Sequence, residues 1–163
     1  MPLCLCYCVP WDDMSLGQVV GIVIFYDSSA IYSLRFIYVN DNIYKMSTHG
    51  EIRENCQMII LDYPTEFLTS VNGCRTDISV VKCITFVTNK ATYGPFGDKF
   101  VHNSDRKFGC HQGGKEKHWI RGFYGTLCES SIGSLGVIIQ TQKTVTQPES
   151  SQPVTVKSEG QQK

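Results

Sequence analysis

Ile84-Thr85-Phe86-Val87-Thr88-Asn89-Lys90-Ala91-Thr92-Tyr93-Gly94-Pro95-Phe96-Gly97 decides the fold class of this chain. ITFVT is rich in β-branched and aromatic residues and reads as a strand. Asn89-Lys90-Ala91 reads as a turn, Thr92-Tyr93 as a return strand, and Gly94 to Gly97 as a second, tight turn. Strand, turn, strand, turn in so short a stretch is a β-meander.

The same grammar extends in both directions. Gly17 to Tyr26 is a Val/Ile-rich strand, and Asp27-Ser28-Ser29 is a turn. Ala30 to Val39 alternates with period two, Ala30, Tyr32, Leu34, Phe36 and Tyr38 on one face and Ile31, Ser33, Arg35, Ile37 and Val39 on the other. Asn40-Asp41-Asn42 turns the chain into Ile43 to Met46. Further strands are expected at Cys56 to Leu61, Glu66 to Val71 and Ile78 to Thr88, with Asn72-Gly73 as a turn between the last two. Lys99 to Gly114 reads as polar and irregular. Trp119 to Tyr124 and Ser134 to Gln140 complete the set. Helical 3.6 spacing is absent, so the chain reads as all-β.

The 163 residues suffice for one domain with a sizeable core, and 42% of them are hydrophobic. The formal net charge is zero, which gives no electrostatic pull toward nucleic acid or anionic membrane. Val19 to Phe25, the longest apolar run, is far too short for a helical bilayer span. Residues 1–10 read as an irregular leader without the pattern of a signal peptide. Residues 141–163, TQKTVTQPESSQPVTVKSEGQQK, are polar enough to read as a disordered tail. The eight cysteines then read as reduced thiols, Cys83 among them in the core. Cys4-x-Cys6-x-Cys8 lacks the CxxC spacing of a structural zinc site, and no metal or other cofactor is expected. GxSxG, HExxH, GxxxxGK[ST] and GxGxxG motifs are all missing, the GCHQGGK run from Gly109 to Lys115 being followed by Glu116 rather than Ser or Thr. Asp12, Asp13, Asp62, Glu66 and Asp98 all sit in or beside turns, and turn chemistry accounts for them. The chain is not expected to be an enzyme.

Ile84–Gly97 also resembles the central signature of the jacalin-related plant lectins. Three more segments resemble that family in the family's order: Trp11-Asp12-Asp13; LDYPTEFLTSVNG, Leu61 to Gly73; and IRGFYG, Ile120 to Gly125, leading to SLGVII, Ser134 to Ile139. The resemblance covers residues 11–140. It implies a β-prism I, three four-stranded antiparallel sheets about a pseudo-threefold axis. It implies binding of mannose-like glycans without metal or catalysis, in the cytoplasm or nucleocytoplasm, by a chain that can form homo-oligomers.

Family members hold the sugar with a glycine-rich loop ahead of the WD segment and a second loop that carries a chelating aspartate. Here Cys8-Val9-Pro10 stands in place of the glycines. The second loop reads Thr126 to Gly133, with Gly133 where the aspartate normally stands. Glu129, Ser130, Ser131, Ile132 and Gly133 are therefore the candidate carbohydrate-binding residues, and Glu129 carries the only carboxylate. Losing one charge-assisted bond costs ~2 kcal/mol, about thirtyfold in affinity. An aspartate restored at Gly133 is expected to raise affinity. Two readings follow: a lectin with a degenerate site, or a lectin fold kept as a protein-interaction or stress-response module. Trp11 is expected to pack beneath the body with Asp12 capping a turn, the other reading being a sugar platform. Trp119 lies in GGKEKHWIRGF, a stretch longer than the family norm, and is a further aromatic recognition candidate.

Overall fold

In the computed structural model, described here for residues 7–77, 79–111 and 118–142, strand follows strand in antiparallel pairing. The elements are β1 (Cys8–Asp12), β2 (Gln18–Tyr26), β3 (Ile31–Asn40), β4 (Ile43–Gly50), β5 (Cys56–Ile60), β6 (Leu68–Arg75), β7 (Val81–Thr88), β8 (Thr92–Gly97), β9 (Arg106–His111), β10 (His118–Cys128) and β11 (Ser131–Thr141). No helix occurs among the described residues. One sheet has the order β4-β3-β2-β5. The other runs β1-β10-β6-β7-β8, with β11 paired to β10 and β9 paired to β6. A single pair, Ile120 with Leu68, joins β10 to β6 in that larger sheet. Hydrogen bonding therefore gives a four-stranded and a seven-stranded sheet, where three four-stranded sheets are expected.

The core lies between these layers. Phe36 of β3 stacks on Phe123 of β10 at 4.4 Å between centroids, and Phe86 of β7 meets Phe123 edge-on at 6.1 Å. All three rings are 0% exposed, so one aromatic column joins the two sheets. Leu34, Phe36 and Tyr38 point into it as the period of β3 requires. Ile31, rather than Tyr32, joins them, because a register shift between Phe25 and Tyr26 flips the first residues of the strand.

Beside the aromatic column lies a buried carboxylate. Asp13 is 3% exposed, and its Oδ2 accepts hydrogen bonds from the hydroxyls of Tyr38 (2.9 Å) and Ser47 (2.5 Å). His49 Nε2 lies 3.0 Å from Oδ1, and the His49 ring stacks on Trp11 at 3.8 Å. Burial works to raise the Asp13 pKa, but the bonds from His49, Ser47 and Tyr38 outweigh it and hold the carboxyl below its usual range. Turn chemistry is therefore the wrong account of Asp13. It is the right one for Asp12, whose Oδ1 accepts the Met14 N–H at 2.6 Å.

Four other expectations change. Gly94 to Gly97 continues β8 instead of turning, with Gly94 and Gly97 at φ +111° and +89°, conformations that L side chains resist. Asn72-Gly73 is not a turn but the middle of β6; a Cβ on Gly73 would lie 2.2 Å from the Cys83 carbonyl oxygen, so only glycine fits. Arg106–His111, within the stretch read as irregular, is β9 and pairs with β6. Cys8, Val9 and Pro10, assigned to the leader, form β1 against Cys128, Leu127 and Thr126.

The cysteines also differ from expectation. Cys8 and Cys128 form a disulfide across β1 and β10. The remaining described cysteines are thiols, and Cys74 is the fully buried one, with Cys83 only partly so. Burial pushes the Cys74 thiol up to about 12. The expected tail falls outside the described residues except for Thr141 and Gln142, and so do Cys4 and Cys6.

Phe123→Ala, which empties the centre of the aromatic column, should lower the unfolding free energy by ~3–5 kcal/mol in urea titrations. Asp13 gives a second expected outcome. Its folded pKa is depressed, so its stabilisation is complete above the unfolded pKa of ~3.9 and fades as pH falls below it. Stability measured from pH 5 down to pH 2 should therefore fall less steeply in Asp13→Asn, by up to ~1.4 kcal/mol per pH unit.

Candidate functional site

The β10–β11 hairpin closes at one end of the molecule in a two-residue turn, Glu129-Ser130. Glu129 adopts φ +57°, the left-handed region such a turn requires. Both residues are exposed. Three ties hold the turn in place. The disulfide fixes Cys128 to Cys8 with the Cα atoms 4.3 Å apart. The Glu51 N–H donates to the Ser130 carbonyl oxygen at 3.3 Å, which brings in the segment after β4. The Thr126 and Ser134 hydroxyls meet at 2.8 Å across the hairpin. The β6–β7 turn arrives at the same place, because the Ser79 carbonyl oxygen faces Gly133.

The five candidate residues divide sharply. Glu129 and Ser130 project into solvent and Ser131 is half-buried. Ile132 is 0% exposed and belongs to the core, so its side chain is withdrawn from any ligand. Gly133 is buried, and a Cβ there would lie 2.2 Å from Cys128 Sγ and 3.0 Å from both the Ser79 carbonyl oxygen and Thr126 Oγ1. The long loop expected from Thr126 to Gly133 is thus two residues long. Alternation explains the contraction: Ile132 is drawn into the core, its pairing with Leu127 extends both strands, and a register shift absorbs Gly133.

Sequence reasoning passed over the neighbouring residues. Tyr26, Asp27, Glu51, Arg53 and Asn55 line a shallow basin of about 630 Å³ that continues from the Glu51–Ser130 contact. Arg53 lies over the Tyr32 ring at 4.1 Å and reaches Glu51 at 3.5 Å. Asp27 Oδ1 accepts from Ser29 N–H (2.7 Å), Ser29 hydroxyl (2.6 Å) and Ala30 N–H (3.2 Å). These bonds, the Ser29 hydroxyl's first, hold its carboxyl below the usual range. Their sequence signal, a turn triplet and a charged loop, is indistinguishable from ordinary surface chemistry.

Trp11 packs as expected, stacked on His49 and 6.2 Å from the Phe36 ring. Trp119 lies at the other end of the hairpin. Among the described residues, no group of three or more His, Cys, Asp or Glu side chains is arranged to hold a metal ion.

The profile of the Jacalin-like lectin domain matches residues 9–138. The chain belongs to that family of carbohydrate-binding domains. Jacalin-related lectin 2 of Arabidopsis thaliana is 26% identical over 144 residues, covering 81% of this chain and 77% of the relative. Protein RESTRICTED TEV MOVEMENT 1 of the same plant is 31% identical over 144 residues, 84% of this chain and 80% of the relative. Against Jacalin-related lectin 16, 37% identical, the alignment takes in 77% of this chain but only 23% of the relative. Among solved structures, a mannose-binding jacalin-related lectin from Ananas comosus superposes with TM-score 0.68 at 26% identity, covering 82% of this chain and 90% of that one.

The geometry sets a steric cost on the simplest repair of the sugar loop. Gly133→Asp must force a side chain against a sulfur already bonded to Cys8. It should lower stability by ~1–3 kcal/mol, the usual cost of overpacking, without raising sugar affinity. Thermal melts and isothermal titration with methyl α-mannoside read the two quantities separately.

Proposed function

We propose that this chain is a metal-independent lectin for mannose-like glycans, working without catalysis through the end of the molecule built around Glu129 and Ser130. One observation carries this reading: the family's sugar loop survives as an exposed turn anchored by a disulfide and by the Glu51 N–H. An anchored turn loses little entropy when a ligand docks, which is what a weak polar site needs. Glu129 supplies the acceptor for sugar hydroxyls, Ser130 and Ser131 supply hydroxyls, and Ile132 and Gly133 contribute backbone alone. The polar basin lined by Tyr26, Asp27 and Asn55 extends the contact surface for a longer glycan. The mannose-binding lectin from Ananas comosus supports a mannose-like ligand, and a galactose-binding lectin from Champedak, also 26% identical, makes galactose the comparison sugar for the test.

The prism belongs to the same reading. The lone Ile120–Leu68 bridge supports a boundary between two faces, β9-β6-β7-β8 on one side and β1, β10 and β11 on the other, with β4-β3-β2-β5 as the remaining face. Self-association into a homo-oligomer is a further part, read by sedimentation velocity. A disulfide persists in oxidising compartments and is lost in reducing ones. In the cytoplasm or nucleocytoplasm, Cys8 and Cys128 would be thiols and the turn would lose one of its ties.

A second reading has an observation of its own. The sulfur packed on Gly133 excludes the chelating carboxylate, which favours a protein-interaction or stress-response module that has lost sugar binding. A glycan array separates the two. The lectin reading expects signals on mannose-terminated glycans that free mannose competes away, weakened about tenfold or more in Glu129→Ala. A blank array, with the folded protein confirmed by circular dichroism, selects the second reading.

A further inference from the structure

At the far end of the β10–β11 hairpin lies a groove of about 500 Å³, within the ~300–1,000 Å³ range of small-ligand pockets. Its walls are aromatic: Tyr63, Phe67 and Trp119. β10 is 11 residues long, which puts this groove ~33 Å from the Glu129-Ser130 turn. It is a separate place on the molecule.

The groove is built rather than incidental. Trp119 Nε1–H donates to Gln18 Oε1 at 2.6 Å. The Gln18 amide in turn donates to the carbonyls of Val19 (3.1 Å) and Ile120 (3.4 Å), and these bonds hold in place the amide whose oxygen receives the indole N–H. Phe67 braces the same ring at 6.1 Å between centroids, tilted by 53°. Tyr63, in the same lining, is 50% exposed. His118 Nδ1 is engaged with the Thr141 hydroxyl at 2.9 Å. Its second ring nitrogen and the Tyr63 hydroxyl make no hydrogen bond among the described residues. Among the described residues, no Asp, Glu, Lys or Arg lines the groove.

We propose that this groove is a second saccharide site, independent of the turn, that takes a neutral pyranose. A pyranose presents an apolar C–H face and a rim of hydroxyls. The fixed Trp119 indole and the Tyr63 ring match the face, and the Tyr63 hydroxyl and the free His118 nitrogen match the rim. Among the described lining residues an anionic ligand finds no cation, and a cationic one finds no carboxylate. A proline-rich peptide also docks on aromatic grooves and is the competing occupant.

The test uses the full ¹⁵N-labelled chain, in which the indole N–H cross-peaks of Trp11 and Trp119 are assigned by Trp11→Phe. Methyl α-mannopyranoside, methyl β-galactopyranoside and N,N′-diacetylchitobiose are titrated into the millimolar range. The expected result is a saturable shift of the Trp119 indole peak with at least one probe. Tyr63→Ala, a change at a half-exposed side chain, should weaken that binding about tenfold and leave the Glu129 and Ser130 amide shifts unchanged. A Trp119 peak unmoved by all three probes overturns the proposal, as does one moved only by a proline-rich peptide. Shifts at Ser130 without shifts at Trp119 leave the turn site standing and remove the groove. The reverse pattern removes the turn site and keeps the groove.

Discussion

The Asp13 carboxylate is the interaction around which the two sheets are organised. Its donors come from β3 (Tyr38) and β4 (Ser47, His49), while its own N–H donates to the Phe123 carbonyl oxygen of β10 at 3.1 Å. A charge taken out of water must be matched by donors, and removing one partner of such a group costs ~3–5 kcal/mol. Here the donors are split between strands that share no ladder with β10, so satisfying the Asp13 charge and closing the two sheets on each other are coupled. The aromatic column sits against the same residues, with Phe36 6.1 Å from Tyr38 and 6.5 Å from His49. Polar and apolar cohesion are therefore not separate contributions at this junction.

Two more buried charges repeat the device on the loops. Glu66, 6% exposed, accepts from the Thr88 hydroxyl (2.8 Å), the Tyr93 hydroxyl (3.0 Å) and the Asp62 N–H (3.0 Å), holding the segment after β5 against β7 and β8. Lys82 pairs with Asp105 at 2.9 Å and Asp98 at 3.2 Å and donates to the Phe100 carbonyl oxygen, tying down the 98–105 segment. The Asp105 bond leads in pushing its pKa up. The Glu129-Ser130 turn has no such charged anchor, and a covalent link with two hydrogen bonds holds it instead. Among the described residues its side chains are thereby left without hydrogen-bond or ion-pair partners, which a recognition surface requires and a structural loop does not.

This pattern explains what the one-dimensional reading reached and what it missed. Period-two alternation located β3, and runs rich in β-branched and aromatic residues located β2, β7 and the final hairpin; β2 is buried along almost its whole length and so carries no alternation. It failed at Asn72-Gly73, where close approach of the Cys83 carbonyl rather than a turn requires the glycine. It failed at β9, whose Arg106-Lys107-Phe108 run carries too little apolar signal to stand out from a loop. Asp13 was read from its neighbours, whereas its partners lie 25, 34 and 36 residues away. The sugar loop was read by counting residues between anchors. What counting cannot supply is that Ile132 prefers the core, and that preference converts most of the loop into ladder.

The hairpin's two ends consequently differ in the kind of recognition they favour. At the turn, ligand contacts are polar and compete with water for each bond, so net gains are only ~0.5–1.5 kcal/mol apiece. In the Trp119 groove, an indole already fixed by Gln18 offers apolar area at little further entropic cost. At the first end the space beside Gly133 is closed by Cys128 Sγ, whereas at the second end the Trp119 indole is fixed by Gln18. Sites ~33 Å apart at opposite ends of an 11-residue strand cannot share one small sugar. They can hold two branches or two glycans, so weak affinity at each end is compatible with a useful avidity from a single chain.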